Sequence, residues 1–101
     1  MSANKWLVYM IRTLDGQLYT GITTDIQRRW QEHKSGKGGA RYFRGHTPKA
    51  IALLEEHIDR SSASKREAQI KMLSKPLKEA LVIEHLPVTT TLLVGYPLLH
   101  D

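Results

Sequence analysis

Apolar and polar residues change rhythm several times along the chain, and each change predicts an element. WLVYMIR is β-branched and aromatic enough for a strand, TLDGQ reads as a turn and QLYTGIT as a second strand, so residues 6–23 predict a hairpin. Two registers suit it. A two-residue turn at Asp15 and Gly16 puts Tyr9 and Tyr19 on opposite faces of the ribbon. A type I turn over Leu14 and Asp15, closed by Gly16 in the left-handed region, pairs Thr13 with Gln17 and puts both tyrosines and Gly21 on one face. The sequence does not choose between them. Thr24 and Gln27 have capping-box spacing and Asp25 adds negative charge to a first turn, which predicts a helix from about Asp25 to near Lys34, before Gly36. On it Ile26 and Trp30 face the core, while Arg29 and His33 share another stripe.

The next segment, SGKGGARYFRGHTP, is too glycine-rich for regular structure and too basic to bury, so it reads as an exposed loop. KAIALLEEH predicts a third, mostly buried strand. SSASKREAQIKMLS predicts a helix with Ile70 and Leu73 turned inward and Ala63 as a third candidate. Ser64 and Glu67 also match a capping box, but a helix start nearer Ser61 is preferred, which leaves Glu67 inside the helix and free to project. After a break near Ser74, KPLKEALVIEH starts another helix with Pro76 in its first turn. The tail LPVTTTLLVGYPLLHD alternates weakly and holds two prolines and a glycine. It reads equally as an added edge strand, a packed extended arm or a contact for another chain.

At 101 residues the chain fits one domain. The lack of cysteine excludes disulfides, thiolate zinc and a cysteine nucleophile, so any metal must rest on carboxylates, imidazoles or water. The N-terminal apolar run is shorter than a signal-peptide core, and no stretch approaches ~18 apolar residues. The expectation is a soluble cytoplasmic protein with no membrane partner. Charge sharpens the picture when mapped. Arg28, Arg29, Lys34, Lys37, Arg41, Arg44 and Lys49 face only Asp25 and Glu32 across residues 25–49, so this quarter of the chain carries the whole formal excess of +5. That is the footprint of a surface for a polyanion, the other reading being a solvated helix face and a flexible basic loop.

Several chemistries are absent. No glycine is followed by the Gly-Lys-Ser/Thr of a phosphate loop, and GKGGAR neither follows a strand nor opens a helix, which argues against a nucleotide cofactor. The five histidines lack zinc-site spacing, and there is no Gly-x-Ser-x-Gly elbow.

With those set aside, the tyrosine of LVY (Leu7 to Tyr9), the YTG of Tyr19 to Gly21, the RRWQEH helix and the downstream REAQIK together resemble the GIY-YIG nuclease superfamily, closest to its small stand-alone bacterial members. The resemblance covers nearly all of residues 5–85. It departs in Leu-Val for Gly-Ile, in Thr20 for isoleucine, and in having no asparagine after Asn4, where many members place one beyond the glutamate helix. It implies a single small α+β domain over residues 1–86, with a central three-stranded antiparallel β-sheet flanked by about three helices, and a C-terminal tail over 87–101. It also implies cleavage of a nucleic-acid phosphodiester with one divalent ion, Mg²⁺ or Mn²⁺. By position, Tyr9 would help deprotonate the attacking water, and Tyr19 would hydrogen-bond the water or the phosphate. Arg29 would clamp the phosphate, with His33 one turn on near it, and Glu67 would be the sole protein ligand to the metal.

Physical chemistry agrees with these residue types. A phosphodiester under attack gains charge on its non-bridging oxygens, which an arginine fork and a hard cation both neutralise. One carboxylate suffices for Mg²⁺, which keeps much of its water shell. A phenol with a pKa near ~10 is a poor base at neutral pH, so Tyr9 needs Arg29 or the metal close by. Each residue has a structural alternative too: Tyr9 and Tyr19 as a cross-strand pair, Arg29 and His33 as a solvated stripe. Arg28, Lys34, Lys37, Arg41, Arg44 and Lys49 are the candidate nucleic-acid contacts. Tyr42 joins them, since Tyr42 and Phe43 can stack on bases or else pin the loop to the body. The expectation is an endonuclease of low sequence specificity acting on DNA more than RNA, with branched or damaged, repair-related DNA as candidate substrates. The alternative is a nucleic-acid-binding module with little or no cleavage. Oligomeric state is left open.

Overall fold

The computed structural model describes residues 5–100; residues 1–4 of the expected domain and Asp101 of the expected tail lie outside the described residues. β1 (Trp6–Thr13) and β2 (Leu18–Thr23) form the hairpin. Thr13 N donates to Gln17 O and Gly16 N to Thr13 O, both at 3.0 Å, with Gly16 at φ 83°. This is the three-residue turn: the left-handed position falls on the one turn residue without a Cβ. Tyr9 therefore pairs with Gly21 and Ile11 with Tyr19, and the tyrosines share a face.

β3 (Pro48–His57) pairs antiparallel with the other side of β1, giving the order β2-β1-β3. The central strand is buried on both faces from Leu7 to Ile11, which is why its sequence reads as a continuous apolar run. On one face Leu7, Tyr9, Ile11, Ile51 and Leu54 pack with Ile26 and Trp30 of α1 (Ile26–Ser35) and with Leu99. On the other, Val8, Met10 and Leu53 pack with Ala63 and Ile70 of α2 (Arg60–Lys71), flanked by Leu81 and Val82 of α3 (Lys75–Glu84). Each fully buried aliphatic side chain contributes about 1.5–3 kcal/mol, so these two layers hold the sheet. Leu73 is only half-buried.

Two local expectations change, and the preferred helix start near Ser61 holds. Asp25, not Thr24, caps α1: its carboxylate accepts from Arg28 N at 3.1 Å, and an ionised acceptor at a helix N-terminus outcompetes a neutral hydroxyl. Asp59 caps α2, accepting from Ser62 N at 2.8 Å, so the Ser64–Glu67 box does not form and Glu67 sits well inside the helix. The basic loop contains a 3₁₀ turn, Arg41–Arg44.

Helices α1, α2 and α3 are the three expected, and a fourth is added by the tail. It is not extended: α4 (Leu86–Leu93) is followed by a 3₁₀ turn, Pro97–His100. Its prolines open helical turns, where a missing N–H costs nothing. Thr89 is buried, and its Oγ1 accepts from the Leu54 amide of edge strand β3 at 3.1 Å. Helix α4 thus covers an edge that would otherwise present a free donor. Thr89→Val keeps the shape but leaves that amide unsatisfied, and urea denaturation is expected to show a loss of about 1–3 kcal/mol.

Candidate active site

Tyr9 is 1% exposed, and its ring lies across Gly21. A Cβ on Gly21 would stand 2.5 Å from Tyr9 Oη and 2.6 Å from Cζ. The glycine of YTG therefore makes room for the tyrosine of LVY, and the Tyr9 hydroxyl lies over edge strand β2. Tyr19 flanks it, with ring centroids 6.3 Å apart, and meets His33 edge-on at 5.6 Å.

His33, one turn after Arg29 on α1, is as buried as Tyr9, and its Nε2 lies 2.9 Å from Tyr9 Oη. Its Nδ1 accepts from Ala40 N at 3.1 Å. An imidazole accepting at Nδ1 carries its proton at Nε2, so His33 donates to Tyr9. Burial, aided by the charge of Arg29, pushes the His33 pKa down to about 4, which keeps the ring neutral at pH 7. The loop reaches His33 because Gly39 lies against α1: a Cβ there would stand 2.6 Å from Glu32 O and 2.8 Å from His33 Cα. Burial also pushes Tyr9 up to about 12, opposed by hydrogen bonding to Arg29.

Arg29 Nη1 donates to Gly38 O at 2.8 Å and to Glu32 Oε1 at 3.0 Å. Burial works against its charge, but Glu32 and Tyr9 outweigh that and hold the guanidinium above its ordinary pKa. Arg28, by contrast, is 67% exposed and only brushes Glu32 at 3.9 Å.

Glu67 comes from α2, the layer opposite Tyr9, but α2 lies against β2 as well as β1. Its charge reaches Tyr9 and adds to the rise of the phenol's pKa. The carboxylate is 23% exposed and pairs with Lys71 at 3.2 Å. Among the described residues no three His, Cys, Asp or Glu side chains gather as a metal cage. A part-exposed single carboxylate fits a hard cation that keeps most of its water, and not a fully protein-caged ion.

The basic residues are spread over four segments. Arg28 and Lys34 lie on α1, with Lys34 Nζ 5.6 Å above the Trp30 ring; Lys37 is in the glycine loop, Arg41, Tyr42 and Arg44 are on the 3₁₀ turn, and Lys49 is early in β3. Among the described residues Lys37, Arg41, Arg44 and Lys49 have no acidic partner. Phe43 takes the pinning role, 4.5 Å from the His33 ring and 4.8 Å from Tyr19. Tyr42 stacks on His46 at 4.3 Å, and His46 Nδ1–H donates to Asp15 at 2.8 Å, clasping the loop to the hairpin tip. Sequence reasoning missed Gly39, the Ala40 amide and Glu32. The adjacent glycines 38 and 39 were the available signal, since paired glycines mark close backbone approach.

A family model described as the GIY-YIG catalytic domain matches residues 5–80. The chain is 48% identical over 83 residues to a UPF0213 protein of Photorhabdus laumondii, covering 82% of this chain and 79% of the relative. It is 46% identical over 95 residues to a UPF0213 protein of Yersinia pseudotuberculosis, covering 94% and 99%. A similar solved structure is the solution NMR structure of a UPF0213 protein from Bacillus halodurans, with TM-score 0.54, 38% identity and coverage of 86% and 93%. Among the described residues no helix is long and apolar enough to cross a membrane.

Proposed function

The chain belongs to the GIY-YIG catalytic-domain family, and from that premise we propose that it is a metal-dependent endonuclease hydrolysing phosphodiester bonds of DNA. Its sequence specificity is low, its setting cytoplasmic, and its substrates DNA rather than RNA, with branched or damaged forms in repair. The observation that carries this reading is the convergence on Tyr9: His33 donates to its hydroxyl, Arg29 lies beside it and the charge of Glu67 reaches it. Accepting from His33 favours charge on the Tyr9 oxygen, so that once its own proton has passed to solvent the phenolate takes a proton from the attacking water. Tyr19, alongside, orients that water or the phosphate. The Arg29 fork binds the non-bridging oxygens as their charge grows. Glu67 would hold the ion, which when bound supplies positive charge at the phosphate and acidifies a water. Lys37, Arg41, Arg44 and Lys49 draw the backbone in, Arg28 and Lys34 extend that surface along α1, and Tyr42 offers a ring face beside it.

The test is cleavage of supercoiled, single-stranded and branched DNA with Mg²⁺ or Mn²⁺, run beside Arg29→Ala and Glu67→Ala. Both variants are expected to lose about two orders of magnitude of rate. Equal rates in wild type and Glu67→Ala would show that the activity belongs to a contaminant. A second reading, a nucleic-acid-binding module with little cleavage, is favoured by the burial that pushes Tyr9 up to about 12, which leaves almost no phenolate at neutral pH to act as a base. Salt-sensitive DNA binding without any metal-dependent cleavage is its signature.

A further inference from the structure

Among the seven basic residues of segment 25–49 stand two carboxylates, and Asp25 is occupied as the α1 cap. The other, Glu32, lies on the arginine fork itself. Its Oε1 accepts from Arg29 Nη1 at 3.0 Å and its Oε2 is 3.9 Å from Arg28 Nε, with the side chain 30% exposed. The second acceptor of Arg29 Nη1, Gly38 O at 2.8 Å, belongs to the loop that packs against Glu32. A carboxylate and a phosphodiester are both monoanions offering two oxygens to a guanidinium, so they compete for the same donors.

We propose that Glu32 is an internal stand-in for the phosphate, occupying Arg29 in the unbound protein and displaced towards Arg28 when a nucleic-acid phosphate arrives. This rests on the nuclease reading above. While Glu32 is in place, Arg29 stays ordered and aimed, with Gly38 O fixing its plane. On displacement the carboxylate has a partner within reach, because Arg28 Nε already lies 3.9 Å from Oε2. The same carboxylate then returns to Arg29 as the severed strand leaves. Glu32 is thus a positioning residue acting through Arg29, and it weakens binding while easing release.

Glu32→Gln isolates the charge, since the amide oxygen still accepts from Arg29. A labelled DNA oligonucleotide titrated in EDTA, where no cleavage occurs, is expected to bind the variant about two- to fivefold more tightly, the worth of one partly exposed ion pair. The slope of log K against log salt should steepen by up to about one. In steady state KM should fall by the same factor with no gain in kcat, a split that a merely structural role would not produce. Inorganic phosphate, followed by the Arg29 Nε–H resonance, should act at lower concentration in the variant. Unchanged or weaker DNA binding with an unchanged phosphate titration overturns the proposal. DNA binding by neither protein at low salt overturns the nuclease reading, and the phosphate titration then still decides whether Glu32 masks Arg29.

Discussion

Gly21→Ala is expected to give a protein with no measurable cleavage and a markedly lowered urea midpoint, although one methyl group is all that has been added. The new Cβ would stand 2.5 Å from Tyr9 Oη and 2.6 Å from Cζ, well inside van der Waals contact. Tyr9 cannot step aside, because it is 1% exposed, packed among Leu7, Ile11, Ile26 and Trp30, with His33 2.9 Å from its hydroxyl. The backbone of β2 has to move instead, or the ring has to leave its rotamer. Overpacking of this kind costs about 1–3 kcal/mol, to which the broken Tyr9–His33 hydrogen bond adds about 1 kcal/mol. Tyr9→Phe is the control: it removes the hydroxyl but keeps the ring, so cleavage should fall while most stability remains. In a Tyr9→Ala background the alanine at 21 should cost little, because its neighbour is gone, and that non-additivity measures the contact directly. A Gly21→Ala protein as stable and as active as wild type would remove the packing argument for this glycine.

The same pair shows what could be read without a structure. The hairpin was legible because its pattern and Gly16 narrowed it to two registers, but the choice between them came only with the Thr13–Gln17 pairing in the structure. The layers were legible because Ile26, Trp30, Ala63 and Ile70 recur at helical spacing. Helix α4 was not, because Pro87 read as a breaker until its position in a helical first turn was known, and Thr89 gives no sign in sequence that it accepts from Leu54. At the site, Tyr9, Tyr19, Arg29 and His33 lie on three consecutive elements, β1, β2 and α1, so local spacing and a hairpin register place them. Glu67 lies across the sheet, and its partner Lys71 and reach to Tyr9 depend on how α2 docks. The Ala40 amide is backbone, which no residue type announces.

The charges divide the labour. Arg29 and Glu67 rest in internal ion pairs with Glu32 and Lys71, whereas among the described residues Lys37, Arg41, Arg44 and Lys49 have no acidic partner. Unpaired exposed cations act over a Debye length of about 8 Å and bring in a polyanion of any sequence. The paired groups respond only at contact, when a phosphate oxygen or a cation outbids the internal partner. Attraction without sequence preference, followed by a contact-dependent step, suits the low-specificity nuclease proposed above.

His33 ties stability to pH. Its pKa is near 4 when folded and about 6.5 in an unfolded chain. Between those values the unfolded chain takes up a proton that the folded ring refuses, so stability rises with pH across this window. The contribution is complete above about pH 6.5 and is lost as pH falls through 4, amounting to about 3 kcal/mol in all, of which about 2 kcal/mol is gone by pH 5. Protonation also changes the site, since a charged ring donates from both nitrogens and Nδ1 can no longer accept from the Ala40 amide. The loop that Gly39 lays against α1 should then lift, and with it the Gly38 carbonyl that fixes Arg29. Cleavage is therefore expected to fall on the acid side together with urea stability. His33→Ala should be less stable at pH 7, through its cavity and the orphaned amide, yet lose less further stability between pH 7 and 5 than wild type by about 2 kcal/mol. Urea titrations of both proteins at the two pH values check this, with the His33 ring resonances reporting the proton itself. Parallel losses in the two proteins, or a ring that titrates near 6.5, would show that His33 does not hold the loop as a neutral acceptor.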